Sequence, residues 1–204
     1  MIRPLLWLPL AALSLSPALA EEASLEQQAR ALHALAGGEW CALNDGFIPE
    51  GEDFASWTFT YKPDWSPDAE EETVTLIRLF CMAGAYNINH AYYIHRDFEG
   101  LTPLSFAMPM VDPQYEDEDF EGKLLEVPVI GMSSTLVLVN SDFDPETKTI
   151  TSFSKWRGIS DASSSGTWAF REGEFVLVRY DVDASYDGEI NPETVLDYTG
   201  KQKK

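Results

Sequence analysis

Short segments in which apolar and polar residues alternate recur along most of the chain. Trp57, Phe59 and Tyr61 alternate with Thr58 and Thr60, which is the pattern of a strand with one buried face. Further strands are predicted at residues 73–82, 91–95, 124–130, 135–140, 149–155, 167–171 and 174–181. Turn-forming residues separate these segments, which favours antiparallel connections. The sequence therefore predicts a mainly β (α+β) fold, in which an antiparallel sheet curls into a sandwich or a partial barrel.

One segment near the N-terminus has helical periodicity instead. Ser24 followed by Gln27 is a capping-box pattern, and apolar residues then recur at helical spacing up to Ala36. Two glycines at positions 37 and 38 are expected to end this helix. We expect one N-terminal helix that covers the sheet.

The first 20 residues have the pattern of a secretory signal peptide. Arg3 precedes an apolar run at residues 5–15, and an Ala-Leu-Ala sequence at residues 18–20 suits cleavage. The run is too short to span a bilayer, which takes about 20 apolar residues, although an uncleaved N-terminal anchor is the alternative. We expect residues 21–204 to form a single globular β-rich domain that works in the periplasm or outside the cell.

The chain has two cysteines, Cys41 and Cys81. In an oxidising compartment they can pair, and a bridge closing a loop of about 41 residues is worth about 4 kcal/mol on the chain-entropy model. Two buried free thiols are the alternative. Two cysteines without nearby histidines fall short of the four ligands of a structural zinc site.

Charge narrows the class of partner. The 34 acidic residues outnumber the 14 basic ones, and the formal net charge is −20 at pH 7. This charge repels nucleic acids and anionic membrane surfaces, and it favours a basic protein, a cationic ligand or a divalent metal. Solubility alone is the simpler explanation. Carboxylates concentrate at residues 67–72 and at residues 112–121, which we call the acidic loop; both are predicted to be exposed because buried unpaired carboxylates are costly.

An incomplete calcium-loop pattern lies near the C-terminus. Oxygen-bearing side chains occur at alternate positions before a glycine, as in loops that wrap one hard cation. The candidate ligands are Asp183, Ser185, Asp187 and Asn191. The twelfth position holds Thr194 where a bidentate Glu is expected, so a hairpin turn is the alternative.

Aromatic and cationic residues concentrate between residues 152 and 175. Trp156, Arg157, Asp161 and Trp168 are predicted to form a recognition surface, since Arg can clamp a carboxylate or stack on an aromatic ring. The alternative is a set of core aromatics with an Arg tied to an acid or to backbone carbonyls.

Enzyme signatures are weak. The chain has three histidines, and His90 and His95 would face opposite sides of one strand. The Ser-Ser-Ser-Gly sequence at residues 163–166 could supply a nucleophile, but it is interpreted first as a flexible turn. Sequence alone places no base against a nucleophile, so we expect a non-enzymatic protein and keep a hydrolase as the third alternative.

Two blocks of the chain resemble a known family. The first is Cys81-Met-Ala-Gly-Ala-Tyr-Asn87, and the second runs from Phe143-Asp-Pro through Lys155, Arg157 and Gly158 to Asp161. These blocks resemble the bacterial domain-of-unknown-function 1176 family. The resemblance extends over roughly residues 38–199. It implies an exported, periplasmic protein without a settled activity, and it supplies no catalytic residues.

The chain also departs from that family. Trp156 stands where the family tends to have Gly, and residues 160–163 replace a Gly-Asp-Cys-Gly sequence, which implies the loss of one disulfide. Longer family members carry an additional N-terminal region.

The sequence thus predicts an exported, non-enzymatic binding or interaction protein of the cell envelope. The predicted partner is a basic envelope protein, and one specific version is inhibition or sequestration of an enzyme such as a lysozyme. A calcium-binding structural domain is the second hypothesis. Apart from this calcium, no cofactor is expected, nor is nucleic-acid binding or membrane insertion.

Overall fold

The structure is a computed structural model that describes residues 23–42, 47–64, 66, 68–120 and 122–200. The predicted signal peptide lies outside the described residues. The helices are α1 (Leu25–Ala36) and α2 (Gly38–Ala42), with a 3-10 turn at Glu116–Glu118. The strands are β1 (Phe54–Tyr61), β2 (Glu72–Ala83), β3 (Ile88–Arg96), β4 (Gly100–Pro103), β5 (Phe106–Val111), β6 (Gln114–Tyr115), β7 (Leu124–Glu126), β8 (Val129–Thr135), β9 (Val137–Val139), β10 (Asp142–Asp144), β11 (Thr149–Lys155), β12 (Ser163–Arg171), β13 (Glu174–Asp183) and β14 (Glu193–Asp197).

Two five-stranded antiparallel sheets make up most of the fold. The first sheet has the order β1-β2-β3-β4, and β9 pairs with β3 next to that path. The second sheet has the order β10-β11-β12-β13-β14, so its strands neighbour one another in chain order. β5 pairs with β8, and β6 with β7, as separate two-stranded sheets. The described sheets do not close into a barrel, and the predicted mainly β, antiparallel fold is confirmed as a sandwich.

The larger core lies between the two sheets. Val74, Leu76 and Tyr92 of the first sheet pack with Ile150 and Trp168 of the second. This is the inward and outward alternation expected of a sandwich. Hydrophobic burial of this continuous core is the main stabilising contribution that holds the two sheets together.

Helix α1 covers the outer face of the first sheet, as predicted. Ala29 packs there with Ile77, Leu79 and Tyr93. Both bonds of the Ser24 capping box are present. The helix ends at Ala36, but α2 begins at Gly38, so Gly37 separates the two helices. No helix among the described residues is both long and apolar enough to cross a membrane.

The predicted disulfide is present. Cys41 at the end of α2 is bonded to Cys81 in β2, with an S–S distance of 2.04 Å. The bridge ties the helical N-terminal segment to the first sheet, and the alternative of two free thiols is wrong.

Three local predictions were wrong. Residues 163–166 are not a flexible turn: they begin β12, and Ser163 and Ser164 are buried. Gly166 is required there because the Trp168 indole lies over it, and a Cβ would come within 2.4 Å of that ring. The predicted strand at residues 124–130 is divided between β7 and β8, and that at residues 135–140 shortens to β9.

Candidate functional site

The loop between β11 and β12 is held by an ion pair. The Arg157 Nε donates to Asp161 Oδ1 at 2.6 Å, and Nη2 donates to Oδ2. Asp161 is 1% exposed and also accepts a bond from the Gly188 N–H at 3.0 Å. The Arg157 guanidinium lowers the pKa of the Asp161 carboxyl. The pair therefore fixes this loop against the loop between β13 and β14, and Arg157 is not the open carboxylate clamp that the recognition hypothesis assumed.

Tyr186 joins that ion pair to an aromatic surface. Its carbonyl accepts a bond from Arg157 Nη2 at 2.9 Å, and its ring lies 5.4 Å from the guanidinium carbon. The Trp156 and Phe120 rings lie 6.4 Å and 6.2 Å from the Tyr186 ring. The Tyr86 hydroxyl donates to the Trp156 carbonyl at 3.3 Å. We call Tyr86, Phe120, Trp156 and Tyr186 the aromatic face.

The acidic loop borders the aromatic face. Phe120 belongs to this loop and is 59% exposed while it contacts Tyr186. The Tyr115 hydroxyl donates to the Ala184 carbonyl at 2.9 Å, which attaches the loop to the end of β13. Carboxylates of the loop are exposed, and its described acids are Asp112, Glu116, Asp117, Glu118 and Asp119. The two regions that the sequence treated separately thus form one surface.

Trp168 does not lie on that surface. It is 0% exposed, and its indole N–H donates to the Ala107 carbonyl at 3.1 Å. The ring packs against Phe106, with centres 5.6 Å apart. Its predicted place among the binding residues is corrected: a side chain at the centre of the sandwich cannot contact a partner, and Trp168 is a core residue.

The four calcium candidates do come together, around a cavity of about 430 Å³. The Asp183 carboxylate is buried and accepts bonds from the Ser185 and Asn191 backbone N–H groups. Asp187 accepts a bond from the Glu189 N–H at 2.9 Å. The loop thus uses these oxygens to satisfy its own backbone, as turns commonly do. Lys123 also lines the cavity. In the described chain no group of three or more His, Cys, Asp or Glu residues could hold a metal ion.

The two blocks behind the family resemblance meet through an asparagine pair. Asn87 Nδ2 donates to the Lys155 carbonyl at 2.8 Å, and Asn87 Oδ1 accepts from the Lys155 N–H at 3.2 Å. Asn140 Nδ2 donates to Asn87 Oδ1 at 2.9 Å and to the Phe153 carbonyl at 2.9 Å. These bonds join β11 to the turn before β3, so Asn87 has a structural role.

One polar cluster was not predicted from the sequence, and in it an imidazole lies between a hydroxyl and a carboxylate. His90 Nδ1 lies 3.1 Å from Ser141 Oγ, and His90 Nε2 lies 2.9 Å from Glu52 Oε2. The three residues line a cavity of about 380 Å³. They come from β3, the residue directly before β10 and the segment before β1, so no short motif connects them. The one available signal was a histidine directly before the strand predicted at residues 91–95.

Comparison with known proteins gives a family without an assigned activity. Residues 68–190 match the family described as "Protein of unknown function (DUF1176)". Since this match covers more than half of the chain, the protein belongs to that family. It is similar to the uncharacterized protein YpfG of Escherichia coli (strain K12), with 28% identity over 120 residues. That alignment covers 58% of this chain and 30% of the relative. No solved structure matches. His90 and Ser141 lie within the family match, whereas Glu52 lies outside it.

Proposed function

We propose that this protein is an exported binding protein of the cell envelope, and that it holds a basic partner protein on the acidic loop and the aromatic face. The observation that carries the proposal is the contact between Phe120 and Tyr186, with ring centres 6.2 Å apart. It places the exposed Phe120 ring and the partly buried Tyr186 ring beside a run of exposed carboxylates. A few residues, among which Trp, Tyr and Arg are enriched, supply most of the binding energy in protein interfaces, and a surrounding charge of one sign steers the oppositely charged partner.

Export is supported by two features. The leader pattern at residues 1–20 is typical of a cleaved signal peptide. The Cys41–Cys81 bridge suits an oxidising compartment, because thiols are kept reduced in the cytosol. The specific version of the proposal is that the partner is a basic envelope-active enzyme such as a lysozyme, which the protein inhibits or sequesters.

The test compares two charge variants that change net charge equally. The first variant is Glu116→Gln, Asp117→Asn and Glu118→Gln in the acidic loop. The control is Asp68→Asn, Glu70→Gln and Glu71→Gln, three exposed acids in the other acidic stretch. Lysozyme is the probe, and affinity is measured at about 50 mM salt, where screening is weak. We expect micromolar binding by the wild type, roughly tenfold weaker binding by the loop variant and a smaller loss in the control.

Two results would contradict the proposal. Equal weakening by both variants would mean that lysozyme senses only total charge. A lysozyme that stays unbound and fully active in the presence of micromolar wild-type protein would contradict the hypothesis that the protein inhibits or sequesters such an enzyme.

Calcium binding is the second candidate. The observation in its favour is that Asp183, Ser185, Asp187 and Asn191 line one cavity. Calcium would have to displace the backbone N–H groups from which the Asp183 and Asp187 carboxylates now accept hydrogen bonds. A calorimetric titration that shows no heat of calcium binding would remove this candidate.

A further inference from the structure

The cluster around His90 is a directed chain of hydrogen bonds. The Tyr92 hydroxyl donates to Ser141 Oγ at 3.0 Å, so the Ser141 proton is available for His90 Nδ1 at 3.1 Å. His90 Nε2 then carries the ring proton and donates it to the Glu52 carboxylate at 2.9 Å. A carboxylate can only accept, which fixes this tautomer. The order of groups is a hydroxyl, an imidazole and a carboxylate, as in an activated nucleophile held by a base and an orienting acid.

Arg78 adds a positive charge to the same cavity. Its Nη1 donates to the Ser141 carbonyl at 2.9 Å, and its Nη2 lies 3.2 Å from Glu52 Oε2. Its Nε has no hydrogen-bond partner among the described residues. Within the part of the chain that the structure describes, it is the one buried side-chain nitrogen or oxygen of which this is true. Buried donors are almost always paired, so an orphan donor needs an explanation. The Arg78 side chain also interacts with the Tyr92 hydroxyl, so this donor belongs to the same polar cluster.

The cavity connects this buried chain to solvent. Ser141 and His90 are buried, whereas Glu52 is partly exposed and Asp142 is 76% exposed at the side-chain level. The volume of about 380 Å³ is that of a small-molecule site. The exposed rim carries the carboxylates of Glu52 and Asp142, which disfavour an anionic substrate.

We propose that Ser141 is the nucleophile of a second, hydrolytic site, with His90 as its base and Glu52 as the positioning carboxylate, acting on small uncharged carboxylic esters. This activity goes beyond partner binding and does not depend on it, because none of the three residues belongs to the acidic loop or the aromatic face.

The chemistry needs only water as a second reactant. Ser141 Oγ bonds to the ester carbonyl carbon as its proton moves to His90 Nδ1, and the carbonyl electron pair moves to oxygen. The Arg78 guanidinium supplies positive charge beside that oxyanion. When the carbonyl re-forms, the bond to the alkoxide breaks, and the alkoxide takes the proton from His90. Water then attacks the acyl-serine in the same way, which releases the acid and restores Ser141.

The ionisation of the cluster is compatible with this role. Burial and then the Arg78 charge lower the pKa of His90 to about 4, so the ring is neutral at pH 7 and can accept a proton, although it is a weaker base than an ordinary imidazole. Burial raises the pKa of Tyr92 to about 12, so its hydroxyl stays a donor and keeps the Ser141 proton directed at His90. The Glu52 carboxylate acts against this lowering of the His90 pKa and would stabilise the imidazolium formed during attack.

The experiment is covalent labelling with a small alkyl fluorophosphonate, which bonds to an activated serine oxygen with loss of fluoride. Intact mass and peptide mapping measure the labelling rate at pH 7.5. We expect one adduct on Ser141 and turnover of p-nitrophenyl acetate. Ser141→Ala should abolish the adduct. His90→Gln should slow labelling by about 100-fold, the usual contribution of a general base. Ser152→Ala, which removes another buried serine, is the matched control and should label like the wild type.

Each outcome decides the proposal. An adduct on Ser141 that depends on His90, in variants whose thermal unfolding shows a native fold, supports it. Absence of an adduct, or equal labelling of wild type and His90→Gln, overturns it, since a hydrolytic serine must be both reachable and activated. For Glu52→Gln the positioning role predicts slower labelling and a pH–rate midpoint shifted to lower pH. An unchanged profile overturns the positioning role of Glu52, since Arg78 and Asp142, which also set the charge around His90, are unaltered in this variant.

Discussion

Arg157 and Arg78 both bind a carboxylate, but their surroundings differ. Arg157 has a side chain that is 43% exposed, and both Asp161 oxygens accept its N–H groups. Arg78 has a side chain that is 10% exposed, it lies near both Glu52 and Asp142, and its Nε has no partner among the described residues. In the Arg157 pair both carboxylate oxygens accept hydrogen bonds from the guanidinium, whereas the Arg78 side chain keeps one buried N–H donor without a hydrogen bond to the described residues.

This difference suits the two arginines to different roles: Arg157 stabilises a surface, whereas Arg78 lies where a small molecule could bind. The Arg157 pair fixes two loops and presents rings to solvent, so what it offers a partner is shape, apolar area and a nearby negative charge. The Arg78 cluster offers directed protons and a positive charge inside a cavity. A sequence pattern rich in Trp and Arg drew attention to the first region, while the second has the more specific chemical geometry.

The largest expected effect comes from Arg78→Met. Removal of this buried cation leaves Glu52 without its counter-charge and the Ser141 carbonyl without its donor. Because the Glu52 side chain is itself 29% exposed, we expect a loss of about 3 kcal/mol, the lower end for breaking a buried pair. Arg157→Met should cost less, because Asp161 keeps the Gly188 N–H and water can fill the position vacated by the Arg157 side chain, which is 43% exposed. Urea unfolding of both variants measures the two free energies. A larger loss for Arg157→Met would reverse the comparison.

A smaller effect is expected from the titration of His90. The pKa of this ring in the folded protein is about 4, below the ordinary value of 6.5. Between pH 6.5 and 4 the unfolded state therefore binds the proton more readily, and stability falls as pH is lowered, by up to about 3 kcal/mol. The loss should shrink in His90→Gln when unfolding free energies are measured across that range. The pKa of His33 is also lowered, mainly by burial, so His33→Gln is the control. Identical pH slopes for wild type and His90→Gln would contradict the assignment of this pH dependence to His90.

Much of the fold was accessible from the sequence because its signals are local. Alternation in β1 and the capping box of α1 were each set by residues a few positions apart, and both are present. Short elements were missed, such as β4 and β14, since three to five residues carry too little periodicity. The Ser-rich start of β12 was misinterpreted because small polar residues usually mark turns, whereas here Gly166 lies under the Trp168 ring.

The candidate sites could be predicted only where their residues are neighbours in sequence. Arg157 and Asp161 are four positions apart, and their pairing follows from one loop. Phe120 and Tyr186 come from loops that only the folded sheets bring together. Glu52, His90 and Ser141 are further examples, because a hydrogen-bonded chain across three segments has no periodic or motif signal. The prediction for Trp168 was wrong for the opposite reason. The aromatic and cationic composition of its segment suggested a contact residue, and the sequence does not show that it lies in the core.

The contact between Phe120 and Tyr186 is the central claim, and one comparison tests it most directly. Phe120→Ser removes the ring that joins the acidic loop to the aromatic face, while Phe98→Ser removes an exposed ring of 75% exposure in the turn between β3 and β4. Both should change stability by less than about 0.5 kcal/mol, as surface substitutions usually do. The affinity for lysozyme should fall about tenfold for Phe120→Ser and stay unchanged for Phe98→Ser. Equal affinities in the two variants would contradict a single joined surface.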